Sequence, residues 1–230
     1  MSLPIDIIAT AQALNAKGVG AAGSGKVSAR TKTGMLITPE GMDYGSLTPD
    51  DIVAMDFDTS WFATNNLRPS SEWRLHLNIL SSRSEVNAIV QTHSTYASAL
   101  STHRRGIGPF HYMVAAAGGR DIRCADYATM GSQELSDNVL AALEERSGCL
   151  VANHGVVATG VDLGAALTLA VQIEELARQY LAALTLGEPQ HLSSSQMDQV
   201  IARLAAIRDR SNQAAYVDDE SGAKVLHLDR

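Results

Sequence analysis

The sequence predicts one α/β domain built on a mixed or antiparallel sheet. Two observations carry this. Apolar strand-like runs are separated by tight turns in some places and by helices in others, whereas a doubly wound parallel sheet needs a crossover helix between successive strands. The 230 residues also show no linker and no internal repeat, and 45% hydrophobic content is enough for one sizeable core.

The elements follow in order. Residues 4–17 place Ile7, Ile8, Ala11 and Leu14 at helical spacing, and Lys17-Gly18 ends the run. The glycine-rich "GAAGSGK" leads into a strand, Val27 to Arg30. A turn, a short strand over Met35–Thr38 and a second turn at Pro39–Gly41 come next. Ile52–Phe57 reads as another strand. "RPSSEWRLHLNILSSR" reads as a helix, with Pro69 before it, serine at its start and Trp73, Leu77 and Leu80 on one face. "EVNAIVQTH" is the next strand and "STYASALSTH" a short helix. Ser132 caps a helix over "GSQELSDNVLAALEE". "GCLVANHGVVATG" is two strands about a His-Gly turn. A long Ala/Leu helix runs from Val161 to Leu186, broken by Gly187 and Pro189. A last helix lies near Ser194–Arg210, and the polar residues 215–230 form a mobile tail.

Composition excludes several classes. The net charge is −7 without a basic block, which argues against nucleic acid as a partner. There is no run of 18 apolar residues and no signal-like N-terminus, so no membrane segment is expected. Cys124 and Cys149 lack metal-like spacing and fit reduced thiols in a cytoplasmic protein.

Three places can carry chemistry. His93 and His154 each follow an apolar strand, and two strand ends of one sheet can converge on a metal ion. The same pair also reads as two hydrogen-bonded turn histidines. Glu72 sits in the first turn of its helix after Ser70 and Ser71. That is an ordinary acidic helix start, or an anion site with a carboxylate beside it. "GAAGSGKVS" lacks P-loop spacing, because Val27 separates Lys26 from Ser28, but backbone N–H groups and Lys26 can still cradle an anion. His76, His103, His111 and His191 share no such context and are expected to be structural or solvated.

Seven segments together resemble the class II aldolase/adducin family, in its L-fuculose-1-phosphate aldolase branch. They are "GKVSAR", "GMLITPEGMDY", "PSSEWRLHL", "IVQTHSTYASALS", "HYMVAAAGG", "CADYATMGSQELS" and "LVANHGVVATG". The resemblance spans roughly residues 5–187 and implies a single domain over 1–230. It implies a three-layer fold, a mainly antiparallel central sheet flanked by helices, and a cyclic homotetramer with active sites between subunits. It also implies a lyase reaction: one Zn²⁺ per subunit, held by histidines, stabilises the enediolate of a small ketose 1-phosphate as it splits into dihydroxyacetone phosphate and an aldehyde. Carried over, Glu72 moves a proton, Tyr112 is the acid at the aldehyde oxygen, and His93 and His154 ligate the metal. Gly25, Lys26, Glu40, Gly41, Ser70 and Ser71 line the phosphate site.

Three positions depart from the family pattern. Gln91 stands where the first histidine of His-x-His is usual, which predicts weakened Zn²⁺ binding or another divalent metal. Lys26 replaces asparagine, and Glu40 replaces threonine or serine. These changes leave other readings open: a family epimerase or decarboxylase acting on a sugar or sugar-acid phosphate, or a non-catalytic binding protein like the adducin head.

Overall fold

The structure is a computed structural model that describes residues 2–20 and 25–221. One eight-stranded sheet runs through it in the order β4-β3-β2-β1-β5-β8-β7-β6. The strands are β1 (Lys26–Arg30), β2 (Gly34–Ile37), β3 (Val53–Asp56), β4 (Trp61–Phe62), β5 (Ala88–Thr92), β6 (Cys124–Ala125), β7 (Gly148–Val151) and β8 (Gly155–Gly160). Every neighbouring pair is antiparallel except β6–β7. The mainly antiparallel sheet expected from the sequence is therefore present.

Helices cover both faces. On one face lie α1 (Leu3–Ala16), α3 (Thr95–Thr102) and α5 (Leu163–Leu184), which pack Ile7, Leu14, Ala97, Leu100, Ile173 and Tyr180 against Val27, Val90 and Val156 of the sheet. On the other lie α2 (Trp73–Ser82) and α4 (Gln133–Ala142), which pack Leu75, Ile79, Leu135 and Val139 against Ile37, Ile89, Cys149 and Val157. Successive residues of a strand point to opposite faces, so β5 feeds both layers: Val90 enters the first, while Ile89 and Gln91 face the second. All five β5 residues are buried, which is why the strand reads as a continuous apolar run broken only by its last polar positions.

Local chemistry explains the boundaries. Ser132 Oγ accepts from the Leu135 N–H and caps α4, as the sequence predicts. The Asp162 carboxylate accepts from the Ala165 N–H and caps α5. The last helix differs from expectation: α6 runs Ser194–Ser221, so residues 215–221 are helical, not the start of a loose tail. Beyond Arg210 the sequence still offers Gln213, Ala214, Ala215 and Glu220 as helix formers, with no glycine or proline before Gly222 to stop it. Residues 222–230 and the glycine-rich 21–24 lie outside the described residues. No described helix is long and apolar enough to cross a membrane.

Candidate functional site

A cavity of about 420 Å³ opens where β1, β5 and the β7–β8 turn meet the start of α2. Lys26, Ser71, Glu72, His93, Asn153 and His154 form its polar wall. Tyr127, Ala128, Thr129 and Met130 form the opposite wall.

Each polar group is positioned by a local device. His93 follows the last residue of β5. His154 sits in the tight turn between β7 and β8, where its N–H donates to the Val151 carbonyl and Asn153 adopts a left-handed φ of 56°. Gly155 closes that turn against β5, and a Cβ there would lie 2.1 Å from the Thr92 carbonyl oxygen. This is the physical content of the "NHG" segment: only glycine lets the turn approach β5 closely enough to bring the two histidines together, with ring centroids 5.0 Å apart. Glu72 is the N-cap residue of α2. The segment before it is tied to the sheet, because the Ser70 N–H donates to the Thr38 carbonyl and the Glu72 N–H donates to Ser70 Oγ.

The Glu72 carboxylate is buried at 1% exposure, with Oε1 3.7 Å from His154 Nε2. Its other oxygen, Oε2, is buried without a hydrogen-bond partner among the described residues. A buried carboxylate oxygen in that state is costly unless a cation or donor joins it. Burial holds the imidazoles neutral. It pushes His93 down to about 4, helped by the Lys26 charge and by His154. It also lowers His154, with Glu72 opposing and Lys26 adding to the effect. Burial lowers Lys26 as well, against the attraction of Glu72 and then Glu40.

Of the residues singled out in the sequence, Lys26, Ser71, Glu72, His93 and His154 meet in this cavity. The others do not line it. Ser70 is buried beneath Glu72 as its backbone partner. Gly25 lies outside the cavity wall, with Tyr44 hydroxyl donating to its carbonyl and Gln91's carbonyl 3.1 Å from where a Cβ would be. Glu40 and Gly41 form the exposed turn after β2, with the Glu40 N–H bonded to the Arg68 carbonyl. Tyr112 is 51% exposed on a 3-10 helix over Tyr112–Ala117 and lines no wall of the cavity in this chain. Gln91 is buried behind His154, its Nε2 3.0 Å from His154 Nε2.

His76 is structural, one of the two roles the sequence suggests for it: it is fully buried and hydrogen-bonded to both Ser28 and Gln91. What the sequence reading missed is its place directly behind the site. Its position four residues after Glu72 on a helix puts both side chains on one face, and that spacing was the available signal. The Tyr127–Met130 wall was missed too; exposed apolar residues between a strand and a capped helix were its only trace.

The donors suit a divalent ion in kind: two neutral imidazoles and a carboxylate with an orphaned oxygen. They are not closed around a point, and among the described residues no three His, Cys, Asp or Glu side chains are grouped as a formed metal site.

Comparison with known proteins identifies the family. Residues 5–181 match the model of the Class II Aldolase and Adducin N-terminal domain. The chain is 43% identical over 205 residues to the 5-methylthioribulose-1-phosphate/5-deoxyribulose-1-phosphate aldolase of Rhodospirillum rubrum, covering 89% of this chain and 92% of that protein. It is 42% identical over 183 residues to the L-fuculose phosphate aldolase of Escherichia coli K12, covering 80% and 84%. A solved L-fuculose 1-phosphate aldolase superposes with a TM-score of 0.85 at 33% identity, covering 88% of this chain and 96% of that one. This chain belongs to the Class II Aldolase and Adducin N-terminal domain family.

Proposed function

We propose that the protein is a metal-dependent aldolase that splits a small ketose 1-phosphate between C3 and C4. The products are dihydroxyacetone phosphate and a short aldehyde. The observation that carries this is the meeting of Glu72, His93 and His154 in one cavity beside Lys26, in a chain more than 40% identical to two such aldolases. A divalent metal held by His93 and His154 next to Glu72 would supply the Lewis acidity that draws electrons toward the C2 carbonyl.

The chain's own residues do the rest. In cleavage the C4 hydroxyl loses its proton, the C3–C4 electron pair moves toward C2, and C3 then takes up a proton. Glu72 is placed to carry the C3 proton, because its Oε2 is buried and accepts no hydrogen bond from the described residues. Lys26 and Ser71 are the cation and hydroxyl on the polar wall that suit the phosphate. Tyr112 stands outside the cavity of its own chain, so its role at the C4 oxygen belongs to the cavity of a neighbouring subunit in a homotetramer.

The Tyr127–Met130 wall supports a substrate with an apolar far end. Tyr127 and Met130 are large, exposed and otherwise without reason to face solvent. A 5-deoxy or 5-methylthio ribulose 1-phosphate presents a methyl or thioether there, whereas L-fuculose 1-phosphate adds a hydroxyl. The test is release of dihydroxyacetone phosphate from all three ketoses by metal-loaded protein, with Glu72→Gln as control. Release fastest from the two ribulose derivatives is expected. No release from any of the three overturns the assignment.

A further inference from the structure

A chain of four polar side chains runs behind the cavity. Ser28 Oγ lies 2.7 Å from His76 Nδ1. His76 Nε2 lies 3.2 Å from Gln91 Oε1. Gln91 Nε2 lies 3.0 Å from His154 Nε2. Ser28 and His76 are fully buried and Gln91 is 1% exposed, so water does not substitute for a missing partner. One amide fixes every direction in the chain. Gln91 Nε2 can only donate, so His154 Nε2 accepts. Gln91 Oε1 can only accept, so His76 donates from Nε2–H. A neutral imidazole carries one N–H, so His76 Nδ1 accepts from the Ser28 hydroxyl.

This arrangement has a consequence for the metal. The lone pair on His154 Nε2, the one that faces Glu72 at 3.7 Å, is already used by the Gln91 amide. An imidazole nitrogen cannot accept that hydrogen bond and ligate a metal with the same lone pair. The amide has a second orientation. A half-turn brings Oε1 to the His154 side and the NH₂ to the His76 side. His76 Nε2 must then accept, His76 carries its hydrogen on Nδ1, and Nδ1–H donates to Ser28 Oγ. The net protonation of the chain is unchanged. In this orientation Gln91 Oε1 and an Nδ1–H tautomer of His154 face each other as two acceptors, which is unfavourable unless a cation lies between them or His154 moves its hydrogen to Nε2.

We propose that Ser28, His76 and Gln91 form a reversible hydrogen-bond chain that closes His154 in the metal-free protein and reverses to present an oxygen when a divalent cation binds. Gln91 is then a positioning residue in the free state and an oxygen donor in the bound one. His76 reports which state is occupied by its tautomer. This rests on the metal-dependent reading of the site.

The test uses full-length protein with ¹⁵N-labelled histidine, first stripped with chelator and then given one equivalent of Zn²⁺. Imidazole nitrogen shifts report the tautomers, and calorimetry reports Zn²⁺ binding independently of activity. The free protein is expected to show His76 as Nε2–H and His154 as Nδ1–H. Zn²⁺ is expected to move the His76 hydrogen to Nδ1. Gln91→Glu removes the need for reversal, because both carboxylate oxygens accept. It should bind Zn²⁺ roughly tenfold tighter, the scale on which groups around a metal tune affinity, with His76 staying Nε2–H. Zn²⁺ binding with no change at His76 in the wild type overturns the reversible chain and leaves the metal reading standing. An Nε2–H on His154 in the free protein overturns the closed state. Absence of Zn²⁺ binding in both proteins overturns the metal reading, and the reversal with it.

Discussion

Replacing Glu174 by alanine should loosen the site from a distance. Glu174 lies on α5 at 8% exposure, and its two carboxylate oxygens accept from the N–H groups of Tyr96 and Ala97, at 2.8 and 2.9 Å. These are first-turn donors of α3, a helix of 8 residues whose own N-cap residue, Ser94, supplies no side-chain bond. Glu174 is therefore the cap of α3, donated from another helix. A hydrogen bond to a charged group contributes about 1.5–3 kcal/mol, and burial of the carboxylate argues for the low end. Losing both bonds in Glu174→Ala should cost about 3 kcal/mol, and Glu174→Gln, which keeps one acceptor, about half of that. Urea unfolding at fixed protein concentration, read as a midpoint shift at constant slope, measures both variants. His93 precedes Ser94 directly, so Zn²⁺ affinity should fall together with stability. A Glu174→Ala protein within 0.5 kcal/mol of the wild type, on the precision expected of such extrapolations, would refute the claim that α5 holds the start of α3.

Four further outcomes are expected. Glu72→Gln should lower retro-aldol turnover by about 100-fold or more while leaving stability equal or raised, since it removes a buried charge whose Oε2 has no partner; unfolding curves and a coupled assay separate the two effects. On the proposed shared site, the Tyr112→Phe and Glu72→Gln proteins should each be poorly active, yet subunits mixed in equal amounts should recover about a quarter of wild-type sites, the fraction expected when one chain supplies the glutamate and its neighbour the tyrosine; no recovery after reassembly would place Tyr112 elsewhere. Gly155→Ala should destabilise by more than about 3 kcal/mol, given the 2.1 Å approach to the Thr92 carbonyl, and thermal unfolding checks it. Burial lowers His76 from 6.5 to about 4 in the folded chain, so the unfolded chain binds the proton first as pH falls. Chelator-treated protein should then lose about 3 kcal/mol from this group as pH drops from roughly 6.5 toward 4, with no contribution above that window.

Much of this molecule is legible in its sequence because local signals agree with the fold. β5 reads as a strand because both its faces are buried, and α4 begins at Ser132 because that hydroxyl caps it. The β4 and β6 strands are only two residues each and exist through pairing with distant chain, so no local pattern marks them. Glu72, His93 and His154 stand out in sequence because each sits at an element boundary, where side chains are free of core packing. His76 does not stand out, since a histidine within an apolar helix face looks like packing until Ser28 and Gln91 are seen on either side of it. Tyr112 is legible as a motif, yet within one chain it lines no wall of the cavity that holds Glu72.

The register of β1 against β5 sets Lys26 directly across from Gln91. Paired residues of adjacent strands share a face, so Lys26 and Gln91 stand side by side on one face of the sheet. Their effects are therefore not independent. Placing histidine at 91 alone would set a new imidazole beside an ammonium that also opposes any incoming cation. Gln91→His should therefore gain more metal affinity on a Lys26→Asn background than on the native one. A change at either position is felt at the other, and that coupling is written into the register of the sheet.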